Sequence, residues 1–171
     1  MKHIVKITLS VILTGILIAL AACTPDTRQA AATAAEIADF EPPAGYTADF
    51  SVAVSGYSAV AYSPGDAHSH LYLVQSSQPA DGAALEKGLA ELVPGSTDTS
   101  ARMVIVENRP VTVRGQAVTA VISEGINSEN IAYRQLMAAF QGKGGPALLA
   151  LSAPVTTWDQ TMVDAFLASI R

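Results

Sequence analysis

The connections between apolar segments in the second half of the chain constrain its fold most. Five segments rich in β-branched, aromatic and alanine residues lie at 102–107, 111–113, 117–123, 133–140 and 147–151. The linkers between them carry Gly, Asn or Pro, and such linkers are typical of hairpins, which join antiparallel neighbours. The sequence therefore predicts an antiparallel meander. The segment 133–140 is the least distinct, because its Leu, Met and Ala residues would suit a helix equally.

Three further strands are predicted before the meander, at 51–54, 58–62 and 70–75. A Ser-Gly turn signal at 55–56 separates the first two, and Ser-Pro-Gly-Asp at 63–66 precedes the third. The third segment is apolar at both odd and even positions. This pattern indicates a strand that is covered on both faces.

Two segments have a helical period instead. Apolar residues recur at i, i+4, i+7 and i+8 within 81–93, and Asp81 is a suitable N-cap. A second apolar stripe occupies 158–170, where Thr157 and Gln160 fit a capping box. A strand-rich centre flanked by two amphipathic helices predicts an α+β fold with an antiparallel sheet.

The first 23 residues have the parts of a secretory signal. Lysines precede an apolar run at 7–20, which is shorter than the roughly 20 residues that a transmembrane helix needs. The sequence Leu-Ala-Ala-Cys at 20–23 resembles the bacterial lipobox, and Cys23 is the only cysteine. This resemblance implies cleavage before Cys23 and acylation of its thiol and amine. An ordinary signal peptide or an uncleaved anchor is the alternative.

The lipobox resemblance also implies where the protein resides. It would be anchored by acylated Cys23 to the lipid bilayer, on the extracytoplasmic side of the cell envelope. In Gram-negative lipoproteins, an Asp at the position after the lipidated cysteine favours retention in the inner membrane. This chain has Thr24 at that position, so the outer membrane is favoured if the envelope is Gram-negative. Removal of residues 1–22 makes the net charge more negative than −5, which argues against nucleic acid as a partner.

These observations predict three parts of the chain. Residues 1–22 form the signal peptide, residues 23–43 the lipidated cysteine with a flexible Ala/Thr/Pro tether, and residues 44–171 a single α+β domain. One cysteine excludes a disulfide framework. No cofactor is predicted.

One cluster in the sequence has the residue types of a metal site. Asp66, His68 and His70 have a spacing of two, so on a strand they would share one face and offer ligands to Zn²⁺, Cu²⁺ or Ni²⁺. A histidine there could also act as general base in a hydrolase-like enzyme, although the chain has no G-x-S-x-G motif. The alternative is a polar entry to a strand.

Other charged positions in the meander suggest weaker sites. Four arginines lie in the meander: Arg102, Arg109, Arg114 and Arg134. They could form an anion-binding face, since arginine suits carboxylate or phosphate, or they could be solvated strand edges. Glu124 and Glu129 flank a Gly/Asn/Ser loop. Paired carboxylates can perform acid–base chemistry, but the sequence is more typical of a solvent-exposed loop. Gly-Lys-Gly-Gly at 142–145 lacks phosphate-loop spacing and is interpreted as a turn.

The order of these elements resembles the small α/β/α domains of the PsbP and Mog1 kind. The resemblance rests on the early strands 51–75, the helix 81–93, the meander, and a terminal run from Pro146 that ends in Ser-Ile-Arg. It implies the layered fold only, because no functional motif of that family matches here. The function expected is a non-catalytic binding or accessory lipoprotein that contacts an envelope protein or a small ligand. A metal-binding protein or enzyme, or a purely structural envelope lipoprotein, is the alternative.

Overall fold

The computed structural model describes residues 27–93, 96 and 103–171. The fold is α+β, with one seven-stranded antiparallel sheet in the order β1-β2-β3-β7-β6-β5-β4. In chain order the elements are α1 (Thr27–Ile37), β1 (Thr47–Val54), β2 (Tyr57–Ser63), β3 (His70–Ser76), α2 (Gly82–Leu92), β4 (Val104–Val113), β5 (Gln116–Ile126), β6 (Ala132–Gln141), β7 (Pro146–Pro154) and α3 (Gln160–Ser169).

The sheet consists of two meanders that meet in its middle. Strands β1 to β3 form one and β4 to β7 the other, and β3 pairs with β7 in the register Leu71↔Leu151 and Leu73↔Leu149. Because β7 is central, it is buried along nearly its whole length, which explains its continuous apolar sequence. Segment 133–140 is confirmed as a strand, within β6.

Strand β4 differs from the sequence prediction. Residues 104–107 and 111–113 of the two predicted strands belong to a single strand, and Asn108 to Pro110 continue it rather than forming a connection. A proline is tolerated there because β4 lies at the sheet edge, where a missing N–H breaks no ladder hydrogen bond. The bulge between Ile105 and Glu107 further disturbs the regular pattern.

Helices cover both faces of the sheet. Face A is packed by α1 and α3, whose buried residues Ile37, Phe166 and Leu167 join the larger core. Face B is packed by α2, through Leu85 and Leu89, against strands β2, β3 and β7. The layers are therefore helix, sheet and helix, and the described residues form three helices where the sequence predicts two for the domain.

Helix α1 corrects the described part, 27–37, of the flexible tether predicted at 23–43. Ala30, Ala34 and Ile37 are almost completely buried on face A, so this segment is part of the folded domain. Small alanine side chains allow the helix to lie close to the sheet. The domain therefore includes Thr27, and it does not begin at residue 44.

Backbone contacts also tie the end of α1 to the rest of the domain. The N–H of Lys143 donates to the carbonyl of Ile37 at 2.9 Å, and Lys143 Nζ donates to the carbonyl of Ala35 at 3.0 Å. Asp39 and Arg171 exchange two backbone hydrogen bonds of 3.0 and 2.8 Å. The helix terminus thus has the partners that its free carbonyls require.

The caps of the other two helices explain where they begin. Asp81 caps α2 as predicted, since its Oδ1 accepts from the N–H of Ala84 at 2.8 Å. The prediction for α3 is wrong, because Asp159 and not Thr157 is the N-cap, accepting from Thr161 and Met162. An aspartate one residue before Gln160 satisfies the same free N–H groups with a charged acceptor.

Candidate functional site

The turn at 142–145 is a structural junction. The N–H of Gly144 donates to Gln75 Oε1 at 2.9 Å, and Gln75 Nε2 donates to the carbonyl of Glu36 at 3.4 Å. Gly145 has a φ of 155°, and a Cβ there would overlap the carbonyl of Ser76. The glycines therefore allow this turn to approach β3 and the end of α1.

Asp66 organises the loop before β3. Its Oδ1 accepts from the N–H of His68 at 2.8 Å and from the N–H of Ser69 at 2.5 Å. Partial burial raises the pKa of Asp66. These hydrogen bonds favour the charged carboxylate and together outweigh burial, so the pKa lies below its ordinary value. The Asp66 side chain thus holds the loop through contacts with its own backbone.

The two histidines have different surroundings. His68 Nδ1 lies 3.9 Å from Glu129 Oε2, and its ring meets Tyr133 edge-on at 6.4 Å. The His70 ring stacks on Tyr72 at 5.7 Å. Within the part of the chain that the structure describes, no group of three or more His, Cys, Asp or Glu side chains is placed to hold a metal ion.

The structure thus brings Glu129 to His68 and does not join the predicted triplet into one site. The carboxylate comes from the loop between β5 and β6, about 60 residues further along the chain. The sequence marks Glu129 only as a loop residue, because the pairing of β6 with β7 and of β7 with β3 decides which loops become neighbours. No local signal could have indicated this pair.

Among the described candidates, Arg114 and Arg134 do not share one anion-binding face. Arg134 donates to Glu124 at 2.7 Å through Nε, and its guanidinium lies 5.7 Å from the centre of the Trp158 ring. Arg114 Nη1 donates to the carbonyl of Gln141 at 2.8 Å. Arg134 and Gln141 are seven residues apart on β6, about 23 Å along a strand. Arg102 lies outside the described residues.

A groove remains beside α2 on face B, and we call it the open groove. It has a volume of about 400 Å³ and lies over strands β4 to β6, which α2 does not cover. Its apolar lining includes Ile105, Val121 and Met137, and its neutral polar lining includes Ser123 and Gln135. Glu86 adds one carboxylate at the rim. Such a lining suits a ligand that has apolar side chains and amide groups.

The outer edge of β4 borders the open groove. Val104, Ile105 and Val106 are 66%, 60% and 53% exposed, which is unusual for three consecutive β-branched residues. In the described ranges no strand pairs with this edge, so its outward backbone groups face solvent. An exposed edge of this kind is a template for another strand.

In comparisons with known proteins, no family model and no curated protein matches the chain. Among the helices that the structure describes, none combines the length and the apolar composition needed to cross a bilayer.

Proposed function

We propose that the protein is a lipid-anchored lipoprotein of the cell envelope and acts as a non-catalytic binding module. The lipobox-like sequence at 20–23 supports the anchor, with Cys23 as the acylated residue and the outer membrane as the favoured location in a Gram-negative envelope. Two or more acyl chains make such anchoring stable. The bilayer is thus one partner, and an envelope protein is the other.

We further propose a PsbP/Mog1-like relationship for the fold. Support comes from a seven-stranded antiparallel sheet with helices on both faces and a C-terminal helix that follows the central strand β7. This relationship concerns architecture alone, since function resides in sites and not in folds.

The observation that carries the binding role is the unpaired edge of β4 beside the open groove. An extended segment of a partner protein that pairs with β4 would gain backbone hydrogen bonds there. Its alternate side chains would enter the groove, where the flexible side chains of Met103 and Met137 adapt to different shapes. Pro110 has no N–H, so pairing is confined to the part of β4 before it.

Charge agrees with such a partner. Glu86 lies at the rim of the groove, and the chain carries a net charge of −5 before any cleavage. A neutral or basic segment is therefore favoured over an acidic one. In the described part of the chain, His68 lies against the Glu129 carboxylate and the Tyr133 ring, and a loop-to-loop contact explains this arrangement without an enzyme activity.

The first test concerns the anchor. Cys23→Ala removes the thiol that carries the lipid, so the protein should lose its acyl groups and leave the membrane fraction. Mass spectrometry of the purified chain and fractionation of cells measure both effects, with Thr24→Ala as the matched control. A Cys23→Ala protein that still carries lipid and sediments with membranes would contradict the proposal.

The second test concerns the β4 edge. A photoreactive amino acid at Val104, Val106 or Asn108 should cross-link one segment of one partner protein. Labels two residues apart on β4 should cross-link residues that are two apart in that segment. Ile105→Lys should abolish the cross-links, because it places a charge in the apolar groove, while changing stability by less than about 0.5 kcal/mol. Thr112→Lys, an exposed change nearer the other end of β4, is the control.

Three results would contradict a partner segment at β4. Adducts with the mass of two copies of this chain would identify a homodimer, and adducts with lipid would identify membrane contact. The absence of any adduct, with the protein present in the envelope, would favour a structural lipoprotein.

A further inference from the structure

The direction of α1 determines which end of the sheet lies near the lipid. The end of the helix is fixed at the 142–145 turn through Lys143 and Gln75. Eleven residues of helix extend about 16 Å away from that turn. Thr27, where the helix begins, lines a groove with Tyr46 and Thr47, at the start of β1.

Tyr46, which lines the same groove as Thr27, lies beside the loop that precedes β3. Burial raises the pKa of Tyr46, the negative charge of Asp66 raises it further, and a hydrogen bond with Ser69 opposes both. The loop at 64–69 in turn meets the loop at 127–131 through the His68–Glu129 contact. We call this end of the sheet, with its two loops, the anchor end.

The length of chain before α1 is short. Cys23 and Thr27 are four residues apart, which spans at most about 14 Å even when fully extended. The flexible tether predicted from the sequence would let the domain turn freely above a membrane. A domain that includes Thr27 cannot move that residue far from an acylated Cys23.

Exposed apolar side chains lie at the same end. Ile126 ends β5 and is 46% exposed, and Val155 follows β7 and is 40% exposed. Both adjoin Ala132, because Ile126 pairs with it and the N–H of Val155 donates to its carbonyl at 2.9 Å.

We propose that the anchor end rests on the surface of the phospholipid bilayer, with Ile126 and Val155 in contact with the headgroup layer. This inference rests on the proposed lipid anchor at Cys23. Asp66 and Glu129 lie in the two loops of this end, so zwitterionic headgroups are favoured over anionic ones. Contact is shallow, and the acyl chains provide the main attachment.

Labels at the two ends of the sheet test this orientation. Ala132 is exposed at the anchor end, and Ala117 is exposed about 30 Å away along β5 and serves as the matched control. Acylation blocks Cys23, so a cysteine introduced at either position is the only reactive thiol. The lipidated protein is placed in phosphatidylcholine vesicles that contain a lipid with a nitroxide on its headgroup, and a fluorophore on the new cysteine is measured.

We expect quenching at Ala132→Cys to exceed quenching at Ala117→Cys at least threefold. Adding Ile126→Ser and Val155→Ser should reduce the quenching at position 132 by half or more. Equal quenching at both positions, or no effect of the two serines, would overturn the inference. A protein that mass spectrometry shows to lack lipid and that does not bind vesicles would instead contradict the anchor itself.

Discussion

Phe166→Ala should lower the free energy of unfolding by about 3–5 kcal/mol, because it removes a buried aromatic ring and leaves a cavity. Phe166 is 3% exposed within the core of face A. Its ring meets the edge of Phe40 at 5.7 Å, and Phe40 also contacts Tyr62 at 5.8 Å. The substitution thus weakens the contact between α3, the segment after α1 and strand β2.

Urea unfolding followed by circular dichroism measures this effect. Thr161→Ala is the matched control on the same helix, since Thr161 is exposed and its change should stay within about 0.5 kcal/mol. Domains of this size have a total stability of about 5–15 kcal/mol, so the Phe166 variant should also be visibly less soluble. Equal midpoints for the two variants would show that this side of α3 does not face the core.

The parts of the fold that the sequence predicts well are those with a strong local pattern. The apolar stripe of 158–170 predicts α3 and the burial of Phe166, and the hairpin linkers predict the antiparallel pairing of β4 to β7. The position of β7 beside β3 is not predictable in this way. It depends on which apolar strands meet across a separation of about 75 residues.

Helix α1 shows why composition alone misleads. Its sequence is rich in alanine with few large apolar residues, a composition that also describes a flexible linker. What makes it a packed helix is the surface that receives it and the contacts of Lys143 and Gln75, which lie far along the chain. Residues 27–37 themselves carry only helix-forming alanines and the helical spacing of Ala30, Ala34 and Ile37, which do not distinguish a packed helix from a transient one.

The surroundings of the candidate metal ligands also depend on the packing of the whole domain. Spacing of two predicts a shared face for Asp66, His68 and His70, but the carboxylate accepts from the backbone of its own loop and the two rings meet different aromatic residues. The open groove has no sequence motif at all. It exists because α2 covers only part of face B, which depends on the packing of the whole domain.

Ile37→Ala is the most direct test of whether α1 belongs to the domain. Ile37 is fully buried on face A, and its carbonyl accepts from Lys143 at the end of the helix. Removing three carbon atoms from this position should cost about 2–5 kcal/mol. A side chain on a free tether would instead contribute nothing to unfolding.

Glu36→Ala provides the control, because Glu36 is exposed and contributes its backbone carbonyl, which the substitution retains, to the contact with Gln75. Chemical unfolding of both variants gives the difference in stability, and hydrogen exchange of the amides in 30–38 shows whether α1 is protected in the native protein. We expect slow exchange there and a large loss of stability for Ile37→Ala only. Fast exchange together with unchanged stability would make 27–37 a tether after all and would remove the geometric basis for a domain held with one end against the membrane.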